Sequence, residues 1–106
     1  MGLAESPANA QAALTPALVT QVQDWRRDFH QHPELGNRET RAAGIIAAHL
    51  KSLGLEVRTG VAHTGVVAYL RGTQERPLIA LRADIDALPV KEAVDLPFAS
   101  TAQTEF

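Results

Sequence analysis

The amino-acid sequence predicts an α/β fold in which two N-terminal helices are followed by about three strands. Three observations support this prediction. Apolar residues recur at helical spacing between residues 16 and 53, the pattern alternates as in a strand after Gly54, and a continuous apolar run at 77–81 leads into two carboxylates. With 106 residues, 45% of them hydrophobic and 21% charged, the chain has the composition of a single globular domain.

Residues 1–14 contain few large apolar side chains and no periodicity, so we expect them to form a flexible N-terminal arm. The domain itself is therefore predicted to span residues 15–106. Its first helix runs from Pro16 to about His30, with Thr15 as the N-cap residue and proline at the first helical position. One stripe of this helix is apolar and predicts packing against a core; it consists of Leu18, Val22, Trp25 and Phe29.

The segment between the two helices holds two histidines and a glutamate, His30, His32 and Glu34. Side chains of these types can bind a metal, but the two histidines are two positions apart, a spacing that suits a strand better than a helix end. We expect a hydrogen-bonded turn here instead of a metal site. In this turn Gly36 precedes Asn37, which is predicted to be the N-cap of the second helix.

The second helix is predicted over about residues 38–53. It ends before Gly54, whose lack of a side chain suits the left-handed conformation of a helix C-cap. Two extended stretches follow at 55–59 and 66–70, and the apolar run at 77–81 is expected to form the third strand. The buried side of the second helix is predicted to consist of Ala42, Ala43, Ile46, Leu50 and Leu53.

Charge and composition exclude several classes of function. Ten basic and twelve acidic residues give a net charge of −2, so we expect no nucleic-acid partner. The absence of cysteine excludes disulfides, thiolate metal ligands and a cysteine nucleophile. No window is apolar enough to span a membrane, and no signal peptide is recognisable. The expected location is the cytoplasm, while small residues at 8–13 leave open an export signal upstream of Met1.

The carboxylates at the end of the apolar run are the candidate catalytic residues. In an extended chain Arg82, Asp84 and Asp86 point to one side, at the end of a strand, where α/β proteins commonly bind ligands. Two acids there could bind a metal, act as a general acid and base, or orient a histidine that binds metal. They could equally be strand-end acids paired with Arg82. Spacing alone leaves these alternatives open.

Several short motifs follow one another in a fixed order along residues 18–100. They are residues 25–36 (WRRDFHQHPELG), Glu39, 64–68 (TGVVA), 81–89 (LRADIDALP) and 96–98 (LPF). In this order they resemble the start of the zinc-dependent amidohydrolases related to hippurate hydrolase, N-acyl-amino-acid amidohydrolase and indole-acetyl-amino-acid hydrolase. This is the metallo-aminoacylase and carboxypeptidase family.

The resemblance implies an α/β catalytic domain that carries a metal pair, with a smaller domain inserted for dimerisation. Such enzymes hydrolyse the amide bond of small N-acyl amino acids, using a metal-bound water and a glutamate as general base. The resemblance implies a divalent metal, zinc or manganese. It also implies that Asp86 matches the family's active-site aspartate, which orients a metal-binding side chain. Asp84 is its neighbour, with a role that the resemblance leaves open.

The metal ligands of this family lie in later segments, beginning with a His-Ala-Cys-Gly-His-Asp cluster, and the chain contains none of these segments. We therefore expect the chain to be the N-terminal part of an amidohydrolase with a truncated catalytic domain. It is expected to bind no metal tightly and to be inactive alone. The alternatives are a non-catalytic interaction module that pairs an open sheet edge with another chain, or the remnant of a truncated gene.

Overall fold

A computed structural model describes residues 14–102, in which two helices are followed by a two-stranded sheet. The elements are α1 (Pro16–Gln31), α2 (Thr40–Ser52), β1 (Glu56–Val61) and β2 (Gly65–Tyr69). The predicted α/β class is confirmed, as is the order of helices before strands. The arm predicted for residues 1–14 lies outside the described residues, except for Leu14. Neither helix has the length and apolar character needed to cross a membrane.

The described residues form two compact units. The first unit contains residues 14–32 and 93–102, and therefore all of α1. The second unit is Pro33–Glu92, which contains α2 and both strands.

Helix α1 begins as predicted. The side-chain oxygen of Thr15 accepts a hydrogen bond from the Leu18 backbone N–H at 3.1 Å, and Pro16 occupies the first turn. The predicted apolar stripe is buried only in part, because Leu18 and Val22 are 38% and 52% exposed. The half-buried members of the stripe are Trp25 and Phe29. Core packing therefore involves mainly the C-terminal half of this stripe.

Residues 93–102 contact the C-terminal end of α1 within the same unit. The Thr101 backbone N–H donates to the Gln31 carbonyl oxygen at 3.0 Å. The guanidinium carbon of Arg27 lies 5.0 Å from the centre of the Phe98 ring, a distance typical of a cation–π contact. The sequence alone assigned no structure to this segment, because its contacts are with a helix about 70 residues earlier.

Helix α2 begins at Thr40, two residues later than predicted, and its N-cap is Glu39 instead of Asn37. Asn37 has φ 64°, in the left-handed region that asparagine tolerates better than most residues. It therefore forms part of the turn that precedes the helix. The Glu39 side chain makes no capping hydrogen bond, so the first N–H groups of α2 depend on another acceptor.

The C-terminal end of α2 agrees with the prediction. Gly54 has φ 79°, and its N–H donates to the Lys51 carbonyl oxygen at 2.9 Å. The Leu55 N–H donates to the Leu50 carbonyl oxygen at 3.4 Å. These two hydrogen bonds form a Schellman motif, which satisfies carbonyl groups that the helix itself cannot pair.

Strands β1 and β2 form an antiparallel hairpin, and α2 packs against both of them. Val57 lies opposite Ala68, and the register shifts near the turn so that Val61 lies opposite Gly65. A side chain on Gly65 would collide with the Val61 carbonyl oxygen, which explains the glycine at this position.

The buried side of α2 is narrower than predicted. Among residues 14–102 the buried hydrophobic side chains are Ala42 and Ala47, and Leu53 is 59% exposed. The predicted residues that are half-buried are Ala43, Ile46 and Leu50. A two-stranded hairpin covers only part of one helix face, which leaves Leu53 at the end of α2 in solvent.

The structure differs from the prediction at the third strand. Residues 77–81 form no strand, and Leu78, Ile79 and Leu81 are 90%, 79% and 97% exposed. A strand needs a neighbour with which to share hydrogen bonds, and within residues 14–102 β1 and β2 pair only with each other. The apolar run is therefore present without the sheet that would bury it.

Candidate functional site

The unit Pro33–Glu92 contains an open cavity of about 370 Å³. Its walls come from the turn before α2, from the β1–β2 turn and from the segment that follows the apolar run. The lining residues are Asn37, Glu39, Val61, Ala62, Thr64, Gly65 and residues 82–86. The cavity therefore contains both carboxylates that the sequence indicated as functional candidates.

The segment 82–86 exposes its charged residues. Arg82, Asp84 and Asp86 are exposed, as is Ala83, whereas Ile85 and the following Ala87 are half-buried. From Asp84 to Ala87 the alternation agrees with the predicted extended chain. Ile85 and Ala87 consequently anchor the segment while the charged groups face the solvent.

The two aspartates differ in their surroundings. An Asp84 carboxylate oxygen lies 3.1 Å from the Arg82 guanidinium, and these side chains are 71% and 88% exposed. Exposed ion pairs contribute little to stability because water screens them. The Asp86 carboxylate has no hydrogen bond or ion pair within the part of the chain that the structure describes. Asp84 thus fits the alternative of a strand-end acid paired with Arg82. Asp86 remains available to a ligand or another side chain.

One hydrogen bond ties the residue after Asp86 to the turn before α2, and the Asp86 carboxylate lies near the same turn. The Ala87 backbone N–H donates to the Glu34 carbonyl oxygen at 2.7 Å. A Cβ on Gly36 would lie 4.0 Å from an Asp86 carboxylate oxygen, so this carboxylate stands directly beside the Gly36 backbone. The turn before α2 is therefore the support for the Asp86 segment.

The Glu34 side chain provides the missing cap of α2. Its two carboxylate oxygens accept hydrogen bonds from the backbone N–H groups of Arg41 at 2.8 Å and Ala42 at 2.7 Å. A negative charge is favourable at a helix N-terminus, where unpaired N–H groups carry partial positive charge. Local sequence signals could not identify this cap, because the acceptor lies seven and eight residues before the donors.

Glu39 is buried beside the cavity, with 7% of its surface exposed. The Thr64 hydroxyl donates a hydrogen bond to its carboxylate at 2.5 Å. This hydroxyl, together with backbone N–H groups of the turn, lowers the pKa of Glu39 below its ordinary value of 4.5. Both residues lie in motifs that indicate the family resemblance, but no local sequence pattern predicts a contact between residues 25 positions apart.

The histidines before α2 belong to the end of α1. The His32 backbone N–H donates to the Asp28 carbonyl oxygen at 3.1 Å, and its ring Nδ1 lies 3.4 Å from an Asp28 carboxylate oxygen. His32 therefore closes the C-terminal turn of α1, as a hydrogen-bonded turn requires. Glu34 caps α2, so the contacts of His32 and Glu34 are those of helix ends. The His30 ring lies edge-on to the Phe98 ring, with their centres 5.8 Å apart.

The described residues do not fit a complete metal site. Within residues 14–102 no group of three or more histidine, aspartate or glutamate side chains is placed to hold a metal ion. A catalytic zinc site uses at least three protein ligands. A metal site beside Asp86 would therefore need ligands from other residues.

Comparison with solved structures identifies the class of protein. A Bacillus subtilis protein, described as a dinuclear metal-binding peptidase from the M20 family, matches this chain with a TM-score of 0.76 and 40% identity. The match covers 84% of this chain and 25% of that protein. The chain thus shares its fold with part of an M20 peptidase.

Sequence comparison identifies the family, although no family model matches the chain. The chain is 48% identical over 75 residues to N-acetyl-L-cysteine deacetylase of Bacillus subtilis, which covers 71% of this chain and 18% of that enzyme. It is 42% identical over 98 residues to an IAA-amino acid hydrolase of Arabidopsis thaliana, covering 88% of this chain and 22% of the relative. The chain belongs to this family of amidohydrolases and metal-dependent peptidases, and spans about a fifth of the length of these relatives.

Proposed function

We propose that this chain supplies one wall of the active site of a metal-dependent amidohydrolase that cleaves small N-acyl amino acids. The observation that carries the proposal is the Asp86 carboxylate, which lies unpaired within the described chain at an open cavity, in a segment covered by the match to the Arabidopsis thaliana hydrolase. The names of two relatives point to amide bonds between an acyl group and an amino acid. The same substrate class is therefore proposed for the protein to which this chain contributes.

In this proposal Asp86 accepts a hydrogen bond from a metal-binding side chain and fixes its orientation. The metal, zinc or manganese, would be held by residues outside the described chain, and it would supply the Lewis acid for amide hydrolysis. Asp84 is held by Arg82 and has at most a secondary effect. The 106-residue chain alone is expected to show no turnover and to bind less than one equivalent of metal.

A chimera of the Bacillus subtilis deacetylase tests the role of Asp86. The part of the deacetylase that corresponds to residues 14–102 of this chain is replaced by those residues, and hydrolysis of N-acetyl-L-cysteine is measured. We expect an active chimera in which Asp86→Asn lowers kcat/KM by roughly 10–100-fold, as loss of a residue that orients a metal ligand typically does. Asp84→Asn is the matched control in the same cavity and should change kcat/KM by less than about threefold, because its ion pair is exposed.

Three results would contradict the proposal. A folded chimera without hydrolysis would show that the segment does not serve this chemistry. Full activity of the Asp86→Asn chimera would show that Asp86 has no part in it. Turnover by the purified 106-residue chain, together with one equivalent of bound metal, would overturn the expectation that the chain is inactive alone.

A second candidate function is a non-catalytic interaction module. It is favoured by the exposed apolar run, in which Leu78, Ile79 and Leu81 are at least 79% exposed. An extended apolar segment of this kind can add to the sheet of another chain through backbone hydrogen bonds. Mixing the chain with the remaining segments of the deacetylase should then give a stable complex. A chain that remains monomeric in that mixture contradicts this candidate.

A further inference from the structure

Glu34 makes two sets of contacts, one with the start of α2 and one with the segment that carries Asp86. Its side chain caps α2 through the backbone N–H groups of Arg41 and Ala42. Its backbone carbonyl oxygen accepts the Ala87 N–H at 2.7 Å, directly after Asp86. One residue thus links the start of a helix to the segment that carries the candidate carboxylate.

We propose that Glu34 is a positioning residue that fixes Asp86 at the cavity. The helix N-terminus holds the Glu34 carboxylate with two charge-assisted hydrogen bonds, which are stronger than neutral ones. Because both carboxylate oxygens of Glu34 are hydrogen-bonded, its backbone has little freedom to move. Its carbonyl oxygen therefore stays within hydrogen-bonding distance of the Ala87 N–H. The value of this arrangement for catalysis rests on the function proposed for Asp86, but the arrangement itself does not.

The position of Gly36 strengthens the inference. The Asp86 carboxylate stands beside the Gly36 backbone, two residues after Glu34 in the same turn. A shift of this turn would therefore change the Ala87 hydrogen bond and the surroundings of the Asp86 carboxylate together. A glutamate that only capped α2 would not need its carbonyl oxygen directed at Ala87.

Amide hydrogen exchange and carboxyl ¹³C NMR of the full chain test this proposal. In Glu34→Ala, the Ala87 amide should exchange about tenfold faster relative to the Ala68 amide of the hairpin, since one hydrogen bond loses its support. The carboxyl ¹³C resonance of Asp86 should shift in the same variant. Glu34→Gln keeps one acceptor oxygen and removes the same charge, so it should restore most of the Ala87 protection.

The matched control is Glu75→Ala, which removes an exposed glutamate of the same unit and should leave Ala87 and Asp86 unchanged. If Ala87 exchange relative to Ala68 stays at the wild-type value in Glu34→Ala, the proposal is wrong. If Glu34→Ala does not fold, Glu34→Asp decides, because its shorter side chain keeps the charge but does not reach both N–H groups from the same backbone position. Faster Ala87 exchange in Glu34→Asp then supports the proposal. Altered Arg41 and Ala42 amides with unchanged Ala87 and Asp86 signals in Glu34→Asp would show that Glu34 is only a helix cap.

The outcome is independent of the hydrolysis experiment. If the proposed amidohydrolase function is wrong, the Asp86→Asn chimera keeps full activity, while Glu34→Ala still speeds up exchange of the Ala87 amide. Failure of the positioning proposal would appear as unchanged Ala87 exchange, whatever the activity of the chimera.

Discussion

Glu39 carries a charge and is nevertheless buried, so its hydrogen bond with Thr64 determines whether that burial is tolerated. The hydroxyl donor lowers the pKa of the Glu39 carboxyl in the folded chain. A carboxyl with a depressed folded pKa adds stability above its unfolded pKa, and this stability is lost as the pH falls through the folded pKa. The bond also joins the start of α2 to the β1–β2 turn, on two sides of the cavity.

Thr64→Val should therefore make stability less sensitive to acid. The variant lacks the donor, so the folded pKa of Glu39 moves back toward 4.5 and the variant is less stable than wild type near neutral pH. At an acidic pH below the folded pKa of Glu39 the carboxyl is protonated, and the difference between the two proteins should shrink. Urea unfolding at the two pH values measures this. Glu56 also has a lowered pKa, held down by Arg71 and Arg58, but it contributes equally to both proteins.

Thr73→Val, at an exposed position of a loop, is the matched control and should show no pH-dependent difference from wild type. A Thr64→Val variant whose deficit is the same at both pH values would show that the hydroxyl does not stabilise the charged form of Glu39.

Residue types and short motifs were enough to identify Asp84 and Asp86 as candidates at one site. They were not enough to find the contacts that build the site. Glu34 reaches N–H groups seven and eight residues away, and Glu39 reaches a hydroxyl 25 residues away. Periodicity and capping rules describe neighbours within about one helical turn, so such hydrogen bonds become visible only in the folded chain.

Helix ends show the same limit at the level of secondary structure. The start of α1 and the end of α2 were predictable because Thr15, Pro16 and Gly54 act locally on the backbone. The start of α2 was misplaced by two residues because its cap is supplied from a distance by Glu34. The prediction of a third strand at residues 77–81 was wrong for a similar reason. A strand forms only where a neighbouring strand shares its backbone hydrogen bonds, whatever its own apolar residues.

Two glycine substitutions in and after α2 should have opposite effects. Gly54→Ala places a side chain at φ 79° and should lower the free energy of unfolding by roughly 1 kcal/mol. Gly44→Ala lies inside the helix, where an added Cβ meets nothing within 4 Å, and should raise it by roughly 0.5–1 kcal/mol. Urea unfolding of both variants measures the changes. Equal effects of the same sign would contradict the C-cap assignment of Gly54.

The whole chain exposes apolar surface that a globular protein normally buries. Within residues 14–102 only alanines are buried among the hydrophobic residues, while Leu70, Leu78, Ile79 and Leu81 are 79–97% exposed. An exposed apolar stretch of this size indicates a surface that contacts other protein. It is consistent with a chain that spans about a fifth of the length of its relatives.

Replacing the exposed run should change association without changing stability. Leu78, Ile79 and Leu81 already face solvent, so a triple substitution to serine removes no burial and should alter the free energy of unfolding by less than about 0.5 kcal/mol. Sedimentation should at the same time show less self-association than wild type. Ile46→Ser is the contrasting variant, because Ile46 is half-buried on α2 and its loss should cost roughly 1–3 kcal/mol. A triple variant as destabilised as Ile46→Ser would show that the run is packed within the chain, and the interaction-module candidate would lose its supporting observation.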